Sequence, residues 1–299
     1  MDNANYRRGL SAVLGCFAIW GFQPLYWYLC DGIDTFFLMA SRIVWGGVCC
    51  VGMLWVQGKL PQLLAVFRDR KVLLREIPAS VFLLADWGIY LWAVQNGKVL
   101  ECSLGYYIQP LVVSVFGAVI YHEKVTWRHF VILALIVTGI ALSTTGFGGI
   151  PYVTIALAVC FAVYAAIKKS LTVDSVVSTT AEALILTGPS IVYILLFCTG
   201  ANGLSALTPL RQVLLIGAGI VTALPIVLYS VGVKHLTLMT TGICQYLSPT
   251  FSIICGLIMG ESLTKEKLLS FCFIWAGVIL YVVNTVLEEK RRAQVKADT

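Results

Sequence analysis

Apolar residues run along most of the chain in stretches of about 20, the length at which an α-helix crosses a hydrocarbon core of roughly 30 Å. Short polar or basic connections separate them. Ten such stretches predict membrane-spanning helices over approximately residues 8–29, 35–57, 77–96, 102–121, 128–146, 151–167, 180–199, 211–232, 238–259 and 267–287. Within the third, ASVFLLADWGIYLWAV at 79–94, Asp86 interrupts a run that is otherwise almost wholly apolar.

Composition agrees with that pattern. Of 299 residues, 59% are hydrophobic and 12% charged, against roughly a quarter charged in soluble domains, so an all-α integral membrane protein is expected. The net charge of +6 then says nothing of a nucleic-acid partner, and what matters is where the 21 Lys and Arg fall. With a cytoplasmic N-terminus, 16 lie in inside segments, 4 (Lys98, Arg211, Lys265, Lys267) in outside connections, and Arg42 lies within a span. That excess is what the positive-inside rule requires of ten spans with both termini cytoplasmic. The first span follows Arg7 and Arg8, but it is too long for a secretory signal, ends in the aromatic PLYWYL and has no small-x-small site, so it reads as retained. The ten cysteines form no CxxC and have no His at metal-ligand spacing; they read as packing residues, and no metal or cofactor is expected.

An internal repeat organises the spans. GYYIQPLVVSVFGAVIYHEKVTWRHFVILALIVTGIAL at 105–142 has a counterpart in CQYLSPTFSIICGLIMGESLTKEKLLSFCFIWAGVIL at 244–280. Tyr107 corresponds to Tyr246, Pro110 to Pro249, Gly117 to Gly256, Glu123 to Glu261 and Gly139 to Gly277, at offsets of 138 or 139. Each copy holds five spans, and an odd number forces the second copy to start from the opposite side of the membrane. The expected organisation is therefore a first five-helix repeat over 1–146, an inverted second over 147–287, and a basic cytoplasmic tail over 288–299. Inverted repeats with a midplane site between them are the architecture of secondary transporters.

SRIVW at 41–45, LWAV at 91–94, SLGYYIQPLV at 103–112, TALP at 222–225 and TGICQYLSP at 241–249 resemble the drug/metabolite transporter superfamily, with two EamA domains, and within it the RarD group of chloramphenicol-sensitive permeases. The resemblance implies ten helices and a bacterial inner membrane. It also implies a central cavity formed largely by the third, fourth, eighth and ninth helices, with the first, second, sixth and seventh around it. It implies no particular solute. Where it would place an Asn before the Trp of the third helix, this chain has Asp86 before Trp87.

Asp86 lies roughly 13 Å into its span at 1.5 Å per residue, near the midplane, where an ionisable group tends to face a cavity or a partner. It reads either as a proton carrier or cation anchor, or as a neutral structural acid. Tyr90, at i+4, is placed to hydrogen-bond it or simply to pack. Arg42, on the order of 11 Å deep, needs a partner: Asp86 itself, or a solute carboxylate or phosphate held by the guanidinium fork. Glu182, at an offset of 140 from Arg42, is expected to be hydrated and bonded to Lys168 or Lys169. Pro110, Pro225 and Pro249 mark hinges or a cavity wall. Tyr106, Tyr107, Gln109, Gln245, Tyr246 and Ser248, with Gln23 in the first span, offer the aromatic faces and few hydrogen bonds of a small-molecule site, or bonds between helices. Gly46, Gly47 and GLIMG at 256–260 read as close helix packing, and Glu123 and Glu261 as caps or ion-pair partners.

The expected function is alternating-access transport of a small organic solute, with proton coupling as one mode and uncoupled exchange as another. A channel or lipid scramblase is the alternative. An intramembrane enzyme is disfavoured, since HEKVT at 122–126 has Thr where a zinc-protease motif needs its second His, and there is no GxSxG. The expected partners are a small-molecule solute and the bilayer, with no nucleic acid; the oligomeric state is left open.

Overall fold

The structure is a computed structural model that describes residues 3–121, 127–200, 203–233, 235–236, 241 and 244–297. Among these the chain forms eleven α-helices, one short 3-10 turn and no strand. The helices are α1 Asn3–Leu29, α2 Thr35–Val56, α3 Leu60–Arg68, α4 Arg70–Gln95, α5 Val99–Tyr121, α6 Trp127–Gly146, α7 Tyr152–Lys169, α8 Ser175–Phe197, α9 Pro209–Val233, α10 Leu247–Ile258 and α11 Lys265–Ala297. Seven, namely α1, α2, α4, α7, α8, α9 and α11, are long and apolar enough to cross a membrane, and α5, α6 and α10 carry shorter apolar segments.

Three departures from the hydropathy reading matter for the site. First, the connection after α2 contains α3, whose Leu63 and Val66 are buried against Val177 and Ala181 of α8. Second, α4 begins at Arg70 because the Asp69 side chain caps it, accepting from the amides of Lys71 at 2.8 Å and Val72 at 3.3 Å. The helix is therefore longer than its apolar run, and it carries Glu76 into the bundle. Third, the ninth span is interrupted: Cys244 and Gln245 are helical, Tyr246 turns, and α10 starts at Leu247. Pro249 falls in the first turn of α10, where a missing N–H costs no helical bond.

Pro110 and Pro225, by contrast, lie inside unbroken helices. A helical proline frees the carbonyl four residues earlier, for Pro225 that of Val221. Gln23 of α1 fills the gap, its Nε2 donating to the Val221 carbonyl at 3.0 Å. The carbonyl that Pro225 leaves free is thus tied to α1.

The helices pack as α6 on α11, α5 on α7 and α10, α1 on α9 and α10, α2 on α8 and α9, and α4 on α7 and α8. Gly139 of α6 lies against Ile274 of α11, and Gly277 of α11 against Ile136 of α6, so two glycines set the closeness of that pair. One end of the bundle joins the α2–α4 and α7–α8 connections through Lys59–Asp174 at 2.7 Å and Arg75 Nη1 to the Ser170 carbonyl at 2.7 Å. The opposite end joins Arg211 to the Asp31 carbonyl, Lys98 to Tyr152, and Glu261 to the amides of Val99 and Leu100. Glu261 thereby caps α5, while its counterpart Glu123, and HEKVT with it, lies outside the described residues.

Asp174 caps α8, accepting from the amides of Val176 and Val177. Burial pushes its carboxyl up, but Lys59 and those amides outweigh burial and hold it below its ordinary value of 3.8. A depressed folded-state value gives stability that is present above the unfolded value and lost as pH falls through the folded one. Asp174→Ala is therefore expected to cost about 1 kcal/mol at neutral pH, and the gap from wild type to close in acid below pH 4 or so, in thermal unfolding of the detergent-solubilised protein.

Candidate functional site

A cavity of about 490 Å³ lies between α1, α2, α4, α5, α7, α8, α9 and the Gln245–Pro249 segment, with none of its described lining from α6 or α11. That volume suits a small organic molecule. The cavity runs from mid-depth, where Arg42, Asp86 and Gln109 sit, to Lys168 and Val176 at the end of the bundle held by Lys59–Asp174. Toward the other end a core that includes Trp27, Phe37, Leu38, Leu91, Val94 and Leu157 fills the space.

Arg42 is 4% exposed. Its guanidinium carbon stands 4.9 Å from the Trp27 ring and 4.3 Å from the Trp87 ring, and Nε donates to Thr222 Oγ1 at 3.0 Å. The two indoles compensate part of the desolvation of the charge while leaving the fork free. Nη1 is buried and has no hydrogen-bond partner. Asp86, 3% exposed, receives a long hydrogen bond from Gln109 Nε2 at 3.5 Å. No N–O contact within 4.0 Å joins Arg42 to Asp86, so the direct ion pair admitted by their similar depth does not form. Tyr90 does not bond Asp86 either; its ring packs 5.5 Å from that of Tyr106, and both line the cavity. The acid and the guanidinium therefore face one space as separate groups.

Gln23, Gln245, Ser248 and Pro249 also line this space. Tyr107, Tyr246, Pro110 and Pro225 do not. Tyr107 stacks on Tyr246 at 6.2 Å and 15°, meets Trp275 edge-on, and shares a 2.7 Å hydrogen bond with Thr250, which makes the pair a seam between α5, α10 and α11. The repeat singles out both tyrosines, which stack on each other and do not line the cavity.

Sequence reasoning missed the basic end of the cavity. Phe17, Trp20, Phe161, Tyr164 and Tyr229 form aromatic walls there, and Lys168 sits at the margin. Behind Lys168 lie two fully buried acids, Glu76 and Glu182. Lys168 Nζ is 2.7 Å from Glu182 and 3.8 Å from Glu76. Glu182 is bonded to Lys168 as expected but is not hydrated, since α4 and α7 close over it. The available signal was the acidic side chain at 76, seven residues after a helix-capping Asp69 and so already two turns into α4.

A model described as the EamA-like transporter family matches residues 7–145 and again 149–283. The chain belongs to the EamA-like transporter family. The uncharacterized transporter YojE of Bacillus subtilis is 33% identical over 96% of this chain and 97% of its own. Protein RarD of Streptomyces exfoliatus is 31% identical over 97% and 93%, and protein RarD of Escherichia coli 26% over 98% and 100%. A solved chain known as "Crystal structure of protein" aligns with 95% of this EamA-like chain and 98% of its own at TM-score 0.58 and 17% identity, a likeness of fold alone. This family member is therefore a multi-pass membrane transporter by kinship.

Proposed function

We propose that the protein is a secondary active transporter that moves a small zwitterionic organic solute by alternating access. The observation that carries this reading is the buried Arg42, whose Nη1 has no hydrogen-bond partner among the described residues and which shares one cavity with Asp86, itself held by a single long hydrogen bond from Gln109. A guanidinium fork takes a carboxylate or phosphate, and a carboxylate takes an ammonium group, each giving a charge-assisted hydrogen bond in a site screened from water. The aromatic rings supply apolar contact to the rest of the solute.

In this reading ten helices span the membrane as two inverted repeats, 1–146 and 147–287, with 288–299 as a tail. The packing pattern supports that. Exchanging α1 with α7, α2 with α8, α4 with α9, α5 with α10 and α6 with α11 turns the α1–α9, α2–α9 and α1–α10 contacts into α7–α4, α8–α4 and α7–α5, all of which occur. The α2–α8, α5–α10 and α6–α11 contacts map onto themselves. The end of the bundle bearing Arg7, Arg8, Lys59, Arg70, Lys71 and Arg75 is cytoplasmic by its charge, which places both termini inside a bacterial inner membrane and makes the cavity inward-facing. Transport is proton-coupled.

The test is a binding screen on purified protein with amino acids and nucleotide-type metabolites, followed by flux of the hits in proteoliposomes with and without a pH gradient. Asp86→Asn is expected to weaken binding of a zwitterionic hit by tenfold or more, about 1.5 kcal/mol for a charge-assisted hydrogen bond, while leaving a purely anionic analogue unaffected. Unchanged binding, rate and pH dependence in Asp86→Asn would remove the residue from the mechanism.

A further inference from the structure

Glu76 of α4, Lys168 and Tyr164 of α7, and Ser178 and Glu182 of α8 form one connected cluster. Lys168 Nζ forms an ion pair with Glu182 Oε1 at 2.7 Å, although that oxygen accepts no hydrogen bond among the described residues, and it donates to the Ser178 hydroxyl. That hydroxyl in turn donates to Glu76 Oε1, and Tyr164 O–H donates to Glu182 Oε2 at 3.2 Å. Each hydroxyl has one proton, and both are spent. Glu76 Oε2, 3.8 Å from the ammonium, accepts no hydrogen bond among the described residues.

Charge does not balance either. Two carboxylates and one ammonium, if all ionised, leave one negative charge where both acids are wholly enclosed. Among the described residues no other cation pairs with either acid. On α4, Arg75 reaches away to the Ser170 carbonyl, and on α3 Arg68 is exposed. Ahead of α8, Asp174 is engaged with Lys59 at the surface. On α2, Arg42 is bound to Thr222, and on α1, Arg7 and Arg8 are exposed. Lys169 follows Lys168 on the same helix and is engaged with a partner of its own. Lys168 itself lines the cavity, so the cluster communicates with the transport path.

From the vacant acceptor, the uneven charge and the contact with the cavity, we infer that Glu76 and Glu182 together bind one transported proton, with Lys168 as the fixed counter-charge, and that this cluster, not Asp86, is the coupling site. The inference rests on the transporter reading. Binding forms a single O–H bond on a glutamate oxygen and takes the cluster from net −1 to neutral; nothing else is made or broken. The neutral cluster tolerates enclosure and holds α4, α7 and α8 together. The charged cluster requires water, which it obtains when α4, α7 and α8 part further at the basic end and expose the two acids. Proton release is thereby tied to opening on that side.

Infrared difference spectra of the purified wild-type protein across a pH step should show a protonated-carboxyl C=O band that shifts when glutamate, and not aspartate, is labelled with carbon-13. The band should vanish in Glu76→Gln and in Glu182→Gln, persist in Asp86→Asn, and move in Ser178→Ala, which removes the hydrogen bond to Glu76. A band that follows aspartate label, or no titrating glutamate band in the wild type, overturns the assignment without recourse to any variant that fails to fold. In proteoliposomes with a radiolabelled amino-acid mixture as probe, Glu182→Gln should retain exchange and lose accumulation driven by a pH step. Retained accumulation also overturns it. Absence of any probe transport counts against the transporter reading, while the infrared result still decides whether the cluster carries a proton.

Discussion

Arg42→Met is expected to weaken binding of an anionic or zwitterionic solute to the purified protein by roughly 30-fold or more, because truncating one partner of a desolvated charge pair costs about 2 kcal/mol at least. The protein should nevertheless remain folded. Methionine is unbranched and polarisable, so it fills the slot between Trp27 and Trp87 that the guanidinium occupies. It also removes a charge whose Nη1 is buried without a hydrogen-bond partner among the described residues, so the desolvation cost of that charge is relieved. The diagnostic pattern is thus lost binding with an unchanged or higher melting temperature. Arg42→Lys sharpens it: the charge stays, but the fork and the indole stacking go, so binding should fall between wild type and Arg42→Met. Calorimetry with amino-acid and nucleotide-type probes, paired with thermal unfolding, reads both quantities. Wild-type affinity in Arg42→Met, or loss of binding accompanied by collapse of the fold, would show that the guanidinium is a structural group.

Asp86 and Arg42 were legible because a charge inside an apolar run is an outlier whatever the fold. Their separation was not legible, since depth along two helices fixes height and not azimuth. The same limit explains Tyr106 and Tyr107. They are adjacent, and successive helical residues point about 100° apart. Tyr106 consequently faces the cavity and Tyr107 the α10–α11 seam, which repeat symmetry alone does not predict. Gln23 lines the cavity and also bonds the carbonyl freed by Pro225, a long-range consequence of a proline that no local pattern reveals. The break at Tyr246 was hidden because turn residues inside a hydrophobic stretch do not lower its hydropathy.

Glu76 and Lys168 escaped for a different reason. Hydropathy ends a span where charges begin, so both were assigned to connections, whereas a capped helix continues past its apolar run. Asp69 starts α4 about two turns before Glu76, and α7 continues to Lys169. Charge counting for orientation treated Lys168 as an inside marker, and its engagement with two buried acids became visible only with α4, α7 and α8 in place.

Lys168→Met should destabilise the protein by about 3–5 kcal/mol, the cost of breaking a buried ion pair from one side, because it strips from two enclosed carboxylates the one ammonium that pairs with them among the described residues. The decisive observation is what a second change does. Lys168→Met combined with Glu182→Gln removes one acid together with the base and leaves the amide able to accept from Tyr164, so most of the lost stability should return. Lys168→Met with Asp174→Ala has no such compensation, since Asp174 pairs with Lys59 at the surface, and the two losses should simply add. Thermal unfolding in one detergent across these single and double variants gives the coupling energy directly. A large favourable coupling for Glu182 with none for Asp174 fixes the interaction as electrostatic and local. Equal stability of Lys168→Met and wild type would mean that the lysine does not neutralise the acids it touches.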